Sequence, residues 1–119
     1  MTSHLVAIAV DCPSDQVSIV EEFWCAALGH RVERRWKDAE GVEYTELTGT
    51  GPTLVLQPVA EPKRTKNRLH LDLAADGDRD EEVARLTGLG ARVLDADPTR
   101  PWVVCADPVG NEFCVLPPG

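Results

Sequence analysis

Two polar side chains near the C-terminal end of the sequence could belong to one chemical site. The segment ADPVGNEFCVLPPG, residues 106–119, contains a turn followed by a short, mainly apolar stretch with Glu112 and Cys114 two residues apart. Side chains two residues apart on a β-strand share a face, so a strand here would direct the carboxylate and the thiol to the same side. Such a pair could hold a metal, bind a polar ligand, or only contribute to packing.

A second set of polar side chains lies in RLHLDL, residues 68–73. In a strand, Arg68, His70 and Asp72 would share one face, and the three leucines would form the other. We expect the leucine face to pack on a helix and the polar face to line a cavity. The Arg68 guanidinium could bind a carboxylate or phosphate through paired hydrogen bonds.

Acid–base chemistry is a further possibility for these residues. His70 with Asp72 or Glu112 could transfer a proton if the groups reach one substrate. Cys114 could act as a nucleophile if His70 lowered its pKa. A cysteine in an apolar run more often packs as a small hydrophobic residue, so we do not predict nucleophilic chemistry and assign no catalytic residue.

An internal repeat organises the elements that position these groups. LGHRV at residues 28–32 returns as LGARV at residues 89–93, an offset of 61 residues. Each copy follows a helical pattern, and each helix follows a strand that ends in aspartate. Two halves with the order β-α-β-β-β are therefore predicted. The other expected strands are RVERRW (31–36), VEYTELTG (42–49), TLVLQPV (53–59), ARVLDAD (91–97), PWVVCAD (101–107) and NEFCVL (111–116).

Capping residues predict where the two helices begin and end. Ser14 is a suitable N-cap for the first helix, and Gly29 supplies a left-handed residue at its end. Asp78 is expected to begin the second helix, with Glu81 three residues later as in a capping box, and Gly90 to end it.

Composition indicates one soluble globular domain. The 119-residue chain is 43% apolar and 27% charged, and its length allows a core without covalent cross-links. We read the four cysteines as free thiols. No apolar run reaches the length of a membrane span, and the first residues do not resemble a secretion signal, so we expect a cytoplasmic protein.

Charge argues against a polyanionic partner. The formal charge of −8 disfavours nucleic-acid binding, which depends on neutralising phosphates. The basic strip PKRTKNR runs against this trend, and we interpret its Lys63, Arg64 and Lys66 as a solvated linker.

Three motifs resemble those of the vicinal oxygen chelate superfamily, which includes glyoxalase I, bleomycin-resistance proteins, fosfomycin-resistance enzymes and extradiol dioxygenases. They are EFWCAALG, RLHLDL and DPVGNEFCVL, in an order that covers nearly the whole chain. The resemblance implies an α+β fold in which two β-α-β-β-β modules form a curled mixed sheet around a cleft. Module one would cover about residues 4–59, a linker residues 60–67, and module two residues 68–117.

In metal-using members of the superfamily, the resemblance implies four inward-facing ligand positions, usually His and Glu. Carried over to this sequence, they fall on Leu5, Gln57, His70 and Cys114. Glu112 lies two residues before the position where relatives place a glutamate. We therefore expect no bound metal. If Zn, Ni, Mn or Fe does bind, His70, Cys114 and Glu112 are the expected ligands, and a His–Cys pair favours zinc.

Two functions are compatible with these observations. The first is metal-free binding of a small molecule in a homodimeric protein with no nucleic-acid or membrane partner. The second is a metal-dependent lyase, isomerase or dioxygenase-type enzyme. Trp36, Tyr44 or Trp102 could provide aromatic walls, and the expected ligand-binding residues are Gln57, Arg68, His70, Asp72, Glu112 and Cys114.

Overall fold

The computed structural model describes all 119 residues, which form two compact units, Met1–Pro62 and Lys63–Gly119. The first unit contains β1 (Ile8–Pro13), α1 (Val17–Leu28), β2 (Arg31–Lys37), β3 (Glu43–Thr48) and β4 (Leu54–Val59). The second contains β5 (Leu71–Ala74), α2 (Arg79–Leu89), β6 (Arg92–Asp95), β7 (Val103–Ala106) and β8 (Glu112–Leu116). The predicted α+β fold of two β-α-β-β-β modules is confirmed. Neither helix combines the length and apolar character needed to cross a lipid bilayer.

Each unit is built on an open four-stranded mixed sheet with the same topology. The strand orders are β1-β4-β3-β2 and β5-β8-β7-β6. In both sheets the first strand pairs in parallel with the last, and the remaining pairs are antiparallel. This topology brings β5 next to β8, so the two polar segments recognised in the sequence lie on neighbouring strands.

The first unit buries the apolar side of α1 against its sheet. Val20, Phe23 and Trp24 are almost completely buried, as are Leu54 and Leu56 of β4. Alternation along β4 therefore leaves its other residues on the face opposite the helix.

One of the two cap predictions for α1 is confirmed and the other is wrong. The helix ends at Gly29, which has the predicted left-handed conformation with φ 68°. It begins at Val17 rather than near Ser14. The Ser14 amide and hydroxyl both donate to the Val59 carbonyl, at 3.2 and 3.3 Å. Ser14 thus extends the pairing of β1 with β4 instead of capping the helix.

The second unit packs α2 on the other side of its own sheet from the polar groups. Phe113 and Val115 of β8 are fully buried, as is Leu86 of α2. Asp78 caps the helix as predicted, because its carboxylate accepts a hydrogen bond from the Glu81 amide at 2.9 Å.

The strand predicted for residues 68–73 begins later than expected. β5 starts at Leu71, and Leu69 is 88% exposed instead of packing on a helix. Two of the three leucines, Leu71 and Leu73, are half-buried. Arg68 and His70 consequently lie in the segment that leads into the strand.

Candidate functional site

A cavity of about 340 Å³ lies on the second unit. Charged, polar and apolar side chains from three strands and two adjoining segments surround it. They are Lys66, His70, Asp72, Arg100, Trp102, Val104, Glu112, Cys114 and Leu116.

The sheet register explains why these side chains meet. Asp72 of β5 and Val104 of β7 are the direct neighbours of Cys114 on either side of β8. Glu112 and Leu116 lie two residues from Cys114 along the same strand, so alternation gives them the same face. The residues between them, Phe113 and Val115, point to the α2 side. The structure therefore places Glu112 and Cys114 on a common face at the cavity.

His70, Asp72 and Cys114 form a compact group of possible metal ligands. One donor atom from each residue lies within 4.8 Å of the other two. The His70 Nδ1 atom is 3.2 Å from Asp72 Oδ1. The imidazole and the carboxylate are about half exposed, whereas Cys114 is only 9% exposed.

The environment of Cys114 does not activate its thiol. Burial raises the pKa of Cys114, and the charge of Asp72 and a hydrogen bond to its carboxylate raise it further. Lys66 and Arg100 oppose this increase in the pKa without cancelling it. The thiol is therefore protonated at neutral pH, and the lowered pKa on which nucleophilic chemistry depends is not found.

Glu112 is held by the segment that begins the second unit. Its carboxylate accepts hydrogen bonds from Lys63 Nζ and from the backbone N–H of Asn67, both at 3.0 Å. Burial raises the pKa of Glu112, but the hydrogen bonds from Asn67 and Lys63 outweigh it, so the pKa lies below its ordinary value. We call Lys63, Asn67 and Glu112 the Glu112 clamp.

The prediction that Lys63 of the basic strip is solvated is wrong. Lys63 was expected to be solvated, yet its side chain is only 20% exposed. The lysine neutralises a carboxylate that is itself only 14% exposed, and an unpaired charge at that depth would be unfavourable. Lys66 lines the cavity while remaining exposed, and Arg64 is exposed as expected.

Arg100, rather than Arg68, is the arginine at the cavity. Its guanidinium forms an ion pair with Asp95 and lies 5.6 Å from the centroid of the Trp102 ring. Arg68 is exposed and does not line the cavity. Arg100 was not among the residues predicted for the site, although it lies two residues before Trp102 and four before Val104, in the same period-two pattern.

The remaining candidates lie in the first unit. Gln57 is half-buried on β4, where it pairs with Asp11 of β1. Leu5 precedes β1 and is 78% exposed. Trp36 and Tyr44 stack on each other with ring centroids 5.5 Å apart. Neither ring lines the cavity of the second unit.

The two β-α-β-β-β modules and the match of the chain to a family sequence profile define a class of protein: the vicinal oxygen chelate superfamily. Within that class, the chain belongs to the glyoxalase-like domain family, whose sequence profile matches residues 7–116. No curated protein sequence matches the chain.

Solved structures of this superfamily share the fold at low sequence identity. The fosfomycin resistance protein FosX from Mesorhizobium loti has a TM-score of 0.76 and 13% identity, covering 98% of this chain and 92% of its own. A Glu-to-Gln variant of FosX from Listeria monocytogenes, in complex with Mn(II) and 1S,2S-dihydroxypropylphosphonic acid, has a TM-score of 0.78 and 13% identity, with coverages of 98% and 93%. The trypanothione-dependent glyoxalase I of Leishmania major has a TM-score of 0.68 and 19% identity, with coverages of 98% and 87%.

Metal-using members of the superfamily hold a divalent metal, and this chain has only part of the corresponding set of donor atoms. Leu5 has no donor atom, so the four-position ligand set carried over from the resemblance is incomplete. His70, Asp72 and Cys114 nevertheless offer nitrogen, oxygen and sulfur within one group. This donor chemistry fits a metal ion that accepts mixed ligands, such as zinc.

Proposed function

We propose that this protein binds a small polar organic molecule in the cavity of its second unit. The observation that carries the proposal is the convergence of ionisable side chains and an indole ring on one cavity of about 340 Å³. That volume lies within the range of roughly 300–1,000 Å³ typical of small-molecule sites. Such sites combine apolar walls with a few polar groups that orient the ligand.

The lining residues suggest how a ligand would be held. Lys66 makes no hydrogen bond or ion pair in the structure, so its ammonium group is available to an oxyanion. The exposed His70–Asp72 pair offers a donor and an acceptor. Trp102, which is 36% exposed, presents an apolar surface beside Arg100. A compact molecule with an anionic or hydrogen-bonding end and an apolar end matches these groups.

Ligand binding can be tested with two cavity variants and a matched control. The metal-free protein would be screened by thermal shift against organic acids, antibiotics and phosphonates, and hits would be measured by calorimetry. Phosphonates are included because the Listeria FosX relative is described with one. Trp102→Ala and Lys66→Ala should each weaken a true ligand at least tenfold. Arg64→Ala, in the same basic strip but outside the cavity, should bind like the wild type.

Two results would contradict the proposal. One is the absence of any ligand from a broad screen. The other is a set of hits that bind the Trp102 and Lys66 variants as tightly as the wild type, since those ligands would occupy another surface.

A metal-dependent lyase, isomerase or dioxygenase-type enzyme is the second candidate. The specific observation in its favour is the His70–Asp72–Cys114 group. A metal held there would act as a Lewis acid toward a substrate oxygen. In such an enzyme Lys66 would contribute positive charge near the substrate, while Glu112 would remain bound to Lys63 and Asn67. Turnover that requires metal and is lost in His70→Ala would put this candidate first.

We also propose a cytoplasmic homodimer. The edge strand β6 exposes Val93 and Leu94 by 41% and 46%, and an exposed edge can pair with a second chain. Light scattering of the untagged protein should give twice the chain mass of 13.0 kDa. A single-chain mass at micromolar concentration would exclude the dimer.

A further inference from the structure

We propose that His70, Asp72 and Cys114 form a three-ligand metal site selective for zinc-like ions, in which Asp72 of β5 supplies the carboxylate that position 114 lacks. The resemblance places a glutamate at position 114, where this chain has cysteine. The neighbouring strand offers the missing oxygen donor. The proposal concerns the metal alone and does not depend on which organic ligand enters the cavity.

The backbone register brings two of the three donors together. Asp72 and Cys114 are direct partners in the parallel pairing of β5 with β8. His70 lies two residues before Asp72, and its Nδ1 atom already contacts the Asp72 carboxylate at 3.2 Å. Two donors from adjacent strands and one from the residue that precedes β5 therefore converge without any rearrangement of the sheet.

The donor spacing is close to that of a tetrahedral site. Zinc bonds of about 2.0 Å to nitrogen and oxygen and about 2.3 Å to sulfur place tetrahedral ligand atoms about 3.3–3.6 Å apart. The donor atoms of the group lie within 4.8 Å of one another, so an approach of at most about 1.5 Å would complete the geometry. His70 and Asp72 are 42% and 54% exposed, and His70 precedes the first residue of β5. Rotation of these two side chains is therefore unobstructed by core packing.

The alternative carboxylate has another role. Glu112 is the third ligand that the sequence predicts beside His70 and Cys114 if a metal binds. In the structure its carboxylate is the acceptor of the Glu112 clamp, bound to Lys63 and Asn67. Recruiting Glu112 would leave a mostly buried ammonium group without its counter-ion, whereas recruiting Asp72 changes only its exposed contact with His70 and its hydrogen bond with the Cys114 thiol, both within the proposed site.

The donor types determine the preferred ion. A thiolate and an imidazole favour zinc or cobalt, whereas manganese and magnesium prefer oxygen ligands. One thiolate and one carboxylate together balance the charge of a divalent ion. Three protein ligands also leave a fourth coordination position, as in catalytic zinc sites. This preference would differ from the Mn(II) present in the Listeria FosX complex.

Cobalt substitution provides a direct spectroscopic test. Metal-free, reduced protein would be titrated with Co(II) while recording the thiolate-to-cobalt charge-transfer absorption and the visible bands of a tetrahedral ion. One equivalent should bind with both features present. Calorimetry should show zinc binding at least a hundredfold tighter than manganese.

Variants then identify the ligands. Cys114→Ser should abolish the charge-transfer band, and Cys25→Ser, which alters a half-buried thiol of the first unit, should retain it. Asp72→Asn and His70→Ala should each weaken zinc binding at least tenfold, and Glu112→Gln should not. Thermal melting of each metal-free variant would show that it is folded.

Several results would overturn the proposal: no metal binding by the wild type, a charge-transfer band that survives in Cys114→Ser, equal affinity for manganese and zinc, or a Glu112→Gln defect as large as that of Asp72→Asn. Organic ligands are screened on metal-free protein, so a protein that binds no metal could still bind an organic ligand. In the same way, a failed ligand screen would leave the metal titration unaffected.

Discussion

Removing the carboxylate of Glu112 should destabilise the second unit, because the hydrogen bonds of the Glu112 clamp are lost. The side chain is 14% exposed and accepts hydrogen bonds from Lys63 and from the Asn67 amide, both at 3.0 Å. Glu112→Ala leaves the Asn67 backbone N–H without its acceptor, and it leaves the Lys63 ammonium group with the Thr65 carbonyl but no counter-ion. Each unsatisfied donor costs about 1–3 kcal/mol when fully buried. Because solvent reaches part of the clamp, we expect a total loss of about 2–3 kcal/mol in the free energy of unfolding.

Glu112→Gln removes the charge of the side chain and keeps its shape. The side-chain oxygen of the glutamine can still accept a hydrogen bond from the backbone N–H of Asn67, but it carries no charge opposite Lys63. The expected loss is about 1 kcal/mol, typical of one partly buried charged hydrogen bond. Urea unfolding followed by circular dichroism measures both variants, and a cycle with Lys63→Met should give a coupling energy of at least about 0.5 kcal/mol.

The same clamp predicts a dependence on pH. The pKa of Glu112 in the folded protein lies below its ordinary value of 4.5. A carboxyl group with a lowered folded pKa stabilises the protein above its unfolded pKa, and this contribution is lost as the pH falls through the folded pKa. The stabilities of wild type and Glu112→Gln should therefore converge below pH 4.5. A stability difference between them that is independent of pH would refute this role of Glu112, as would a change of less than about 0.5 kcal/mol in Glu112→Ala.

Three other changes test separate parts of the structure. Gly49→Ala would place a Cβ atom 2.5 Å from His30 Nδ1, so it should cost about 1–3 kcal/mol in urea unfolding; adding His30→Ala should remove part of that cost, and strict additivity would contradict the predicted clash. Asp78→Ala should cost about 1 kcal/mol through loss of the α2 cap, and a neutral result by the same assay would show that the cap is dispensable. Cys105 is fully buried and its pKa is raised to about 11, mainly by burial, so mass spectrometry should find it unmodified by an alkylating reagent in the native protein at pH 8 and modified only after unfolding.

Local signals in the sequence predicted the elements that depend on local contacts. Asp78 caps α2 because its side chain meets the first turn of its own helix, and Gly29 ends α1 because it adopts the left-handed conformation. Ser14 has the same capping potential as Asp78. Its hydrogen bonds go to Val59, 45 residues away, and no local pattern reveals this competing partner.

The candidate site likewise contains residues placed by local structure and residues placed by long-range contacts. Period-two alternation was sufficient to place Glu112 and Cys114 on one face, because a strand fixes the directions of its own side chains. Lys63 could not be distinguished from a solvated lysine, since its partner Glu112 is 49 residues away. Arg100 and Lys66 lie in segments outside the strands, and their positions at the cavity depend on tertiary folding.

The internal duplication places different side chains at equivalent positions of the two units. In the first unit Asp11 pairs with Gln57 across β1 and β4, and in the second Asp72 pairs with Cys114 across β5 and β8. The aspartates are separated by the same 61 residues as the repeated LGHRV and LGARV motifs. Two residues before these aspartates, the first unit has Ala9 where the second has His70. Both parallel strand pairs thus hold a carboxylate in equivalent register, but the strand partner of the carboxylate is an amide, Gln57, in the first unit and a thiol, Cys114, in the second, where an imidazole also precedes the strand. Any metal or acid–base role of the second unit therefore depends on having His70 in place of an alanine and Cys114 in place of a glutamine. Such a role cannot be deduced from the shared fold.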